Sequence, residues 1–278
     1  MKTFFKLVLL SSILCIYSCC FSQTKVNESK AELSSDSKSN NSNSSKVNST
    51  DKSDKYESLG NNILSGIFEG IFRFTSNLVI GDYENEPSLH SPLTRYPYDN
   101  NCFGNYENDS LIKQHNRGRI DLENKFLYNN PYLTGNHLKA KIRPFQYLYI
   151  QGDYFQITAY NKTYKGYDNL PLFNINLGYD RVRTDYLNVG WTLGMNYAGS
   201  NVRRAGFSFG INADAFIFRN VSLSGSARWS YINSQPVNES EINCRYHLKR
   251  YFFTVGYEHL KIASPIYNYA GMGAGIYL

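Results

Sequence analysis

The fold is decided by a stretch of alternating residues, NVGWTLGMNYAG, at positions 188–199. Large apolar residues alternate with small or amide residues. This predicts a β-strand rather than a helix, because successive strand side chains point to opposite faces. One face carries Val189, Trp191, Leu193, Met195 and Tyr197, and the other carries Asn188, Gly190, Thr192, Gly194 and Asn196. Taken alone, the large side chains of this strand suit either a soluble core or a lipid environment.

The same period of two continues over residues 117–278 without an intervening helical pattern. Ten strands are predicted, with eight as the alternative if the first hairpin belongs to the rim. Their positions are 118–128, 136–145, 147–160, 171–181, 186–198, 205–218, 221–233, 240–248, 251–262 and 270–278. We expect short turns at one edge, within 145–152, 182–190, 218–225 and 248–256, and longer polar loops at the other, at 161–169, 199–204, 233–239 and 263–268. Short turns at one end and long loops at the other are typical of an outer-membrane barrel.

The composition of the two faces indicates which solvent each one meets. The polar face is mostly Gly, Ser, Asn and Thr, which suits the crowded interior of a narrow barrel better than a water-facing sheet. The apolar face places Tyr and Trp near strand ends, where the aromatic girdles of membrane barrels lie. The predicted lipid-facing residues are Trp191, Leu193, Met195, Phe207, Phe209, Trp229 and Tyr246.

A set of charged and His side chains falls on the opposite, inward face. Its members are Asp180, Asp214, Arg228, Glu241, Arg245, His247 and Glu258. We interpret this lumen polar cluster as an ion-pair network that fills the barrel. A charged pathway or a catalytic cluster is the alternative interpretation of the same residues.

The N-terminal segment predicts export. Residues 1–22 have the basic start and apolar core of a signal peptide, with cleavage expected after Ser22. The alternative is that the sequence IYSC at 16–19 is a bacterial lipobox and that Cys19 carries a lipid. Residues 23–58 are rich in Ser, Asn and Lys and predict a disordered linker, because too few apolar side chains can be buried.

Two further segments precede the barrel. Residues 59–81 carry apolar residues at helical spacing and predict a short amphipathic helix, either on a membrane surface or rim or packed in the ordinary way. Residues 82–116 are rich in Pro, Tyr, Asn and Asp and predict a turn-rich connector. The barrel domain itself is expected at 117–278.

Composition excludes some functions. The net charge of +6 over 278 residues is dispersed, without the basic, aromatic-rich cluster of a nucleic-acid site, so no nucleic acid partner is expected. The mean hydropathy of −0.44 remains compatible with a membrane barrel, because alternation hides the apolar face. Beyond the signal segment only Cys102 and Cys244 remain, and no disulfide is expected because Cys244 belongs to the lipid-facing set.

Two motifs resemble catalytic or cofactor signatures. GFSFG (206–210) matches a nucleophile elbow, but Ser208 lies inside a strand pattern rather than at a strand–turn–helix bend. GMGAG (271–275) lies too near the C-terminus for a helix to follow and bind a pyrophosphate. The five His residues are scattered, and only His247 is predicted to face inward. No catalytic residue, cofactor or metal is therefore predicted, and the chain is not expected to be an enzyme.

The alternating strands, girdle positions and corner turns of residues 117–278 resemble the small outer-membrane β-barrels of Gram-negative bacteria, the OmpA/OmpX-like or porin-family barrel domain. The resemblance implies an integral outer-membrane protein, exported through a signal peptide, whose partners are outer-membrane lipid and the barrel-assembly machinery. We expect a structural or surface-binding role with a filled lumen, and the sequence names no surface ligand. The alternatives are a narrow channel or transporter of small solutes and, further off, a lipid-modifying enzyme.

Overall fold

The structure is a computed structural model, and it describes residues 22–35, 79–82, 85–86, 91–99, 102–107, 118–161 and 165–278. One helix, α1, spans Ser22–Ser34, and ten strands follow it. The strands are β1 (Arg119–Asn130), β2 (Leu133–Arg143), β3 (Leu148–Asn161), β4 (Gly166–Arg183), β5 (Leu187–Ala198), β6 (Arg204–Phe218), β7 (Val221–Ile232), β8 (Gln235–Leu248), β9 (Tyr251–Ile262) and β10 (Ile266–Tyr277).

The ten strands form a closed barrel in which each strand is antiparallel to its neighbours in the chain. Closure is made by β1 and β10, which pair from Asp121 opposite Tyr277 to Tyr128 opposite Ala270. A closed sheet leaves no strand edge unpaired. The predicted ten-stranded, up-and-down barrel is confirmed, and the alternative of eight strands is wrong.

The barrel has two mouths. The lower mouth, where β1 begins and β10 ends, is bounded by the connections 144–147, 184–186, 219–220 and 249–250. The upper mouth is bounded by the connections 131–132, 162–165, 199–203, 233–234 and 263–265. The hairpin at Asn233 and Ser234 has positive φ at both residues (51° and 63°), as a tight two-residue turn requires.

The expectation of long polar loops at one end is wrong. Strands β4, β8 and β10 begin at Gly166, Gln235 and Ile266, so many of the polar residues assigned to loops belong to strands. The reason is that backbone pairing continues past the apolar band, whatever the polarity of the side chains. Strand pairing of this kind leaves no periodic apolar signal in the sequence.

The segment predicted to be disordered, 23–58, is helical over residues 23–34, which is a correction to the expectation. Val26 and Leu33 are fully buried against the barrel, and this long-range contact stabilises a helix that the local composition does not predict. Residues 36–58 and Cys19 lie outside the described residues. So do the signal segment up to residue 21 and all of the predicted 59–81 helix except residues 79–81. Within the described residues, no helix has the length and apolar character that a membrane crossing requires.

Candidate functional site

The outer wall of the barrel exposes an apolar side chain on every strand. In strand order these include Phe126, Leu138, Ile150, Ile175, Met195, Phe207, Leu223, Ile242, Val255 and Met272. Exposed aromatic residues lie nearer the ends of the wall, with Tyr197 and Tyr231 toward the upper mouth and Tyr246 and Tyr251 toward the lower mouth. A water-soluble protein rarely exposes so continuous an apolar surface.

The structure places the predicted lipid-facing residues on this wall. Leu193, Met195, Phe207, Phe209, Trp229 and Tyr246 are exposed, whereas Trp191 is half-buried. Trp191 is covered because residues 79–80 lie against the wall there. Its indole N–H donates a hydrogen bond to the carbonyl oxygen of Val79 (2.9 Å), and the Tyr179 hydroxyl donates one to the carbonyl oxygen of Ile80 (2.6 Å).

The same segment is held by an ion pair lower on the wall. The guanidinium of Arg181 binds the Glu86 carboxylate through two parallel hydrogen bonds, Nη1 to Oε2 (2.7 Å) and Nη2 to Oε1 (2.8 Å). These hydrogen bonds lower the pKa of Glu86, and the Glu86 carboxylate remains ionised at neutral pH. The chain that precedes the barrel therefore contacts its outer wall near the lower mouth.

The middle of the lumen contains a layer of buried charges centred on Lys125. Glu241 and Glu258 are opposite each other in the β8–β9 register, and Lys125 bridges them. The Lys125 ammonium lies 2.6 Å from Glu241 Oε2 and also contacts Glu258, while Lys139 binds Glu241. His137 Nδ1 lies 3.1 Å from both Glu258 oxygens. We call these five residues the charged layer.

Two arginines form further ion pairs inside the lumen. Arg228 binds Asp153 through Nη2 (2.7 Å) and Glu239 through Nη1 (3.1 Å). Arg245 binds Glu123 through Nη2 (2.8 Å) and Asp214 through Nη1 (3.3 Å). Each guanidinium therefore lies between two carboxylates, so the positive and negative groups compensate one another inside the barrel.

The structure brings five residues of the predicted lumen polar cluster to one lumen cavity, Asp214, Arg228, Glu241, Arg245 and His247, whereas Asp180 and Glu258 lie outside its lining. Glu241 and Glu258 share Lys125, whereas Asp180 lies nearer the lower mouth and binds Arg143 (2.6 Å). His247 stands apart from the carboxylates: its Nε2 is 2.8 Å from the Ser222 hydroxyl, and aromatic rings surround it.

His137 is an inward residue that the sequence reasoning missed, since only His247 was expected to face the lumen. The alternation of β2 predicts it, because His137 shares a parity with Lys139 and with Lys141, opposite the apolar Leu138. Ligand atoms of His137, Glu241 and Glu258 lie within 4.8 Å of one another, a spacing that a metal ion could use. Lys125 already supplies a positive charge to both of these carboxylates.

Both motifs that resemble catalytic signatures lie within strands. Ser208 is buried in the middle of β6 and donates a hydrogen bond to the Asn176 side-chain oxygen (2.5 Å). The glycines of 271–275 give the lumen space, since a Cβ at Gly273 would lie 2.8 Å from the Lys125 side chain. Cys102 and Cys244 are both free, and Cys244 is exposed on the outer wall.

The lower mouth is covered by residues 91–99 and 102–107, which we call the lower plug. Within it, Leu93 pairs with Tyr106 in an isolated β-bridge. The buried Tyr106 hydroxyl donates to Asp180 Oδ2 (2.6 Å), and burial together with this carboxylate raises the pKa of Tyr106, so the hydroxyl stays a donor. The Tyr98 hydroxyl lies 2.7 Å from the carbonyl oxygen of Val221. The segment predicted as a connector, 82–116, therefore contains the plug that closes the lower mouth of the barrel.

Two further contacts fix the lower plug. Arg119 Nη2 donates to the Asn105 side-chain oxygen (3.0 Å), and its Nη1 donates to the Thr94 carbonyl (3.3 Å). Gly104 passes so near β4–β5 that a Cβ there would lie 2.2 Å from the Asp185 carbonyl oxygen. Between the plug and the charged layer remains a polar cavity of about 70 Å³, room for roughly five waters at ~10–15 Å³ each.

The upper mouth is apolar inside. Helix α1 lies in it and buries Val26, Ser29 and Leu33, which follow one side of the helix. Lys25 donates to the carbonyl oxygen of Ile266 (3.0 Å), and Ser29 exchanges a hydrogen bond with the Tyr267 hydroxyl (2.8 Å). We call the barrel residues of this cluster the upper cup: Leu127, Leu133, Phe155, Ile157, Ala159, Leu170, Leu172, Ala198, Val202, Ile232, Val237, Leu260, Ile262, Tyr267 and Tyr269.

No family model matches the chain, and no curated protein matches it. Among solved structures, similar ones include Ail of Yersinia pestis in a phospholipid nanodisc (12% identity, TM-score 0.32, covering 59% of this chain and 100% of Ail) and OprG of Pseudomonas aeruginosa (11%, 0.32, 59% and 97%). A third is the N-terminal barrel domain of Pseudomonas aeruginosa OprF (8%, 0.28, 58% and 96%). Ail and OprG are outer-membrane proteins. The class of this chain, a closed ten-stranded up-and-down barrel, is defined by its own strand pairing.

Proposed function

We propose that the chain is an integral outer-membrane β-barrel with a filled, non-conducting lumen and a structural rather than catalytic role. The observation that carries this proposal is the inversion of the barrel: apolar residues are exposed on all ten strands of the wall, and charged residues are buried inside. Closure satisfies the backbone groups of every strand, which is the condition for a sheet to span a membrane.

Three layers of closure support a non-conducting lumen. The charged layer is held by direct ion pairs, α1 lies in the upper mouth, and the lower plug is hydrogen-bonded into the lower mouth. The cavity between the charged layer and the lower plug is small. Barrels of about this strand number are narrow enough for side chains to fill.

A structural role is favoured over surface binding because the connections are short. The longest connection at the upper mouth is 199–203, and the one at 233–234 is a two-residue turn. We propose no catalytic function, since the Ser208 hydroxyl is bound to Asn176 inside the barrel wall. The partners implied by the proposal are outer-membrane lipid and the machinery that assembles barrels in that membrane.

Gel mobility tests the proposal directly. The full chain, produced in a Gram-negative host, is expected in the outer-membrane fraction and should migrate differently before and after boiling, because a folded barrel resists detergent unfolding. Met195→Arg should reduce the folded band, since a charge at the middle of the lipid face costs about 2–4 kcal/mol. Tyr197→Arg, nearer the rim, is the matched control and should cost only about 0–1 kcal/mol. Recovery of the chain from the soluble periplasm, with no heat-dependent shift, would contradict the proposal.

A further inference from the structure

We propose that the upper cup is a binding site for a straight-chain acyl amphiphile, a molecule with a hydrocarbon tail and a carboxyl or ester oxygen. Helix α1 would occupy the cup when the amphiphile is absent. The inference goes beyond the structural role proposed above and depends on membrane insertion only for delivery of the ligand.

The cup has the shape and chemistry for a hydrocarbon tail. Along β3 the inward residues Phe155, Ile157 and Ala159 are all apolar and buried, a run of about 13 Å at roughly 3.3 Å per residue. Leu260 and Ile262 contribute the same character from β9. The lower half of the same lumen is charged, so the apolar lining is a property of the upper end.

Helix α1 matches this lining poorly. Among its described side chains only Val26 and Leu33 are buried apolar groups, and Ser29 lies between them. Ala31 is exposed on the same helix. Helices of this length are marginal without tertiary contacts, so α1 depends on two apolar side chains and on hydrogen bonds at the rim, which include Asn27 to Asp168, Ser264 N–H to Glu32 and Asn233 to the Leu33 carbonyl oxygen. A ligand that fills the cup with hydrocarbon would displace α1 by replacing the two apolar contacts, while water takes over the hydrogen bonds at the rim.

The Tyr269 hydroxyl indicates the polar end of the ligand. Tyr269 is fully buried beside Phe155 and Tyr267, and its hydroxyl has no hydrogen-bond partner among the described residues. Buried hydroxyls are nearly always paired, so an orphan of this kind requires an explanation. An oxygen of a carboxyl or ester group could accept a hydrogen bond from this hydroxyl. Departure of α1 would also free the Tyr267 hydroxyl from Ser29, which gives the ligand a second donor on the same strand.

Photolabelling of the full chain in phosphatidylcholine nanodiscs tests the site. The probe is a palmitic acid analogue with a diazirine in its tail, and labelled residues are located by mass spectrometry. Leu33→Asp should raise labelling of the inward residues Ile157 and Leu260 roughly tenfold, because a competing occupant is removed. Ala31→Asp, which places the same charge on the exposed side of α1, should leave inward labelling unchanged.

The polar contact is tested in the Leu33→Asp background. Adding Tyr269→Phe should lower inward labelling roughly fivefold, the effect of losing one hydrogen bond, while heat-modifiable mobility stays the same. Tyr257→Phe, on the outer wall, is the matched control and should have no effect. Absence of inward labelling in Leu33→Asp, or labelling that neither Leu33→Asp nor Tyr269→Phe alters, would overturn the proposal. Labelling of the outward Met195 reports membrane insertion separately, so failure of the cup and failure of the membrane location are distinguished.

Discussion

The two halves of the lumen are closed in different ways. In the lower half, charged and polar side chains bind a hydrogen-bonded plug, with Tyr106 donating to Asp180 and Arg119 to Asn105. In the upper half, apolar side chains receive a helix that buries only Val26 and Leu33 among its apolar groups.

The two halves of the barrel interior are therefore stabilised by different kinds of contact. Buried charges need partners of fixed geometry, so the lower half is specified by directional contacts and should tolerate change badly. The buried contacts of the upper half are apolar and non-directional, with hydrogen bonds confined to Ser29 and the rim, so we expect its occupant to be exchangeable without unfolding of the barrel. Substitutions in each half should therefore have effects of different size.

The largest effect is expected in the charged layer. Glu241→Gln removes the carboxylate that binds both Lys125 and Lys139. The free energy of unfolding should fall by about 3–5 kcal/mol, because the buried Lys139 ammonium loses its carboxylate while Lys125 keeps only Glu258. Urea unfolding of the refolded barrel in micelles measures it. Glu239→Gln is the control and should lose less, because Arg228 keeps Asp153. Equal losses for the two variants would show that the layer does not act as a network.

A smaller effect is expected at the lower plug. Tyr106→Phe deletes a hydrogen bond to a charged acceptor and should weaken the plug by about 1.5–3 kcal/mol. Trypsin should then cut faster after the exposed Arg95, while the strands stay protected. The same removal of a hydroxyl on the outer wall, Tyr257→Phe, should leave the cleavage rate unchanged. Loss of protection throughout the barrel would mean that the plug and the strands unfold together.

A substitution in α1 should affect the helix and leave the barrel stable. Leu33→Asp removes a buried side chain and should weaken the docking of α1 in the upper mouth by about 1.5–3 kcal/mol. The free energy of unfolding of the barrel should nevertheless change by less than about 0.5 kcal/mol, as for a surface substitution. Hydrogen exchange of residues 25–34 reports release of the helix. Ala31→Asp should leave their exchange slow. Global destabilisation in Leu33→Asp would contradict the view that the upper occupant is exchangeable.

The smallest effect is expected at the orphan hydroxyl in the upper cup. Tyr269→Phe should leave the unfolding free energy unchanged or raise it by up to about 1 kcal/mol, because no hydrogen bond is lost and a buried unpaired group is removed. Thermal unfolding followed by gel mobility provides the comparison with the unsubstituted chain. A clear loss of stability would show that the hydroxyl has a partner in the folded barrel.

The same contrast explains what the sequence could predict. Alternation predicts the ten strands and places Glu241, Arg228 and Asp214 inside, because period two is a local property of a strand. The rule that apolar residues face outward fails at the upper cup, where Phe155 and Tyr269 face inward because α1 covers them.

The lower plug could not be predicted because its contacts are distant in sequence. Tyr106 meets Asp180, and Tyr98 meets Val221, across long separations. Nothing in the local composition of 82–116 distinguishes a plug from a loose connector. His137, by contrast, was within reach, because the parity of β2 already places it beside Lys139.

Current recordings in a planar lipid bilayer test the central claim most directly. A barrel whose charged layer, lower plug and upper helix fill the lumen should insert without producing discrete current steps. Reproducible single-channel openings from the full, unsubstituted chain would contradict the account and favour the narrow channel instead.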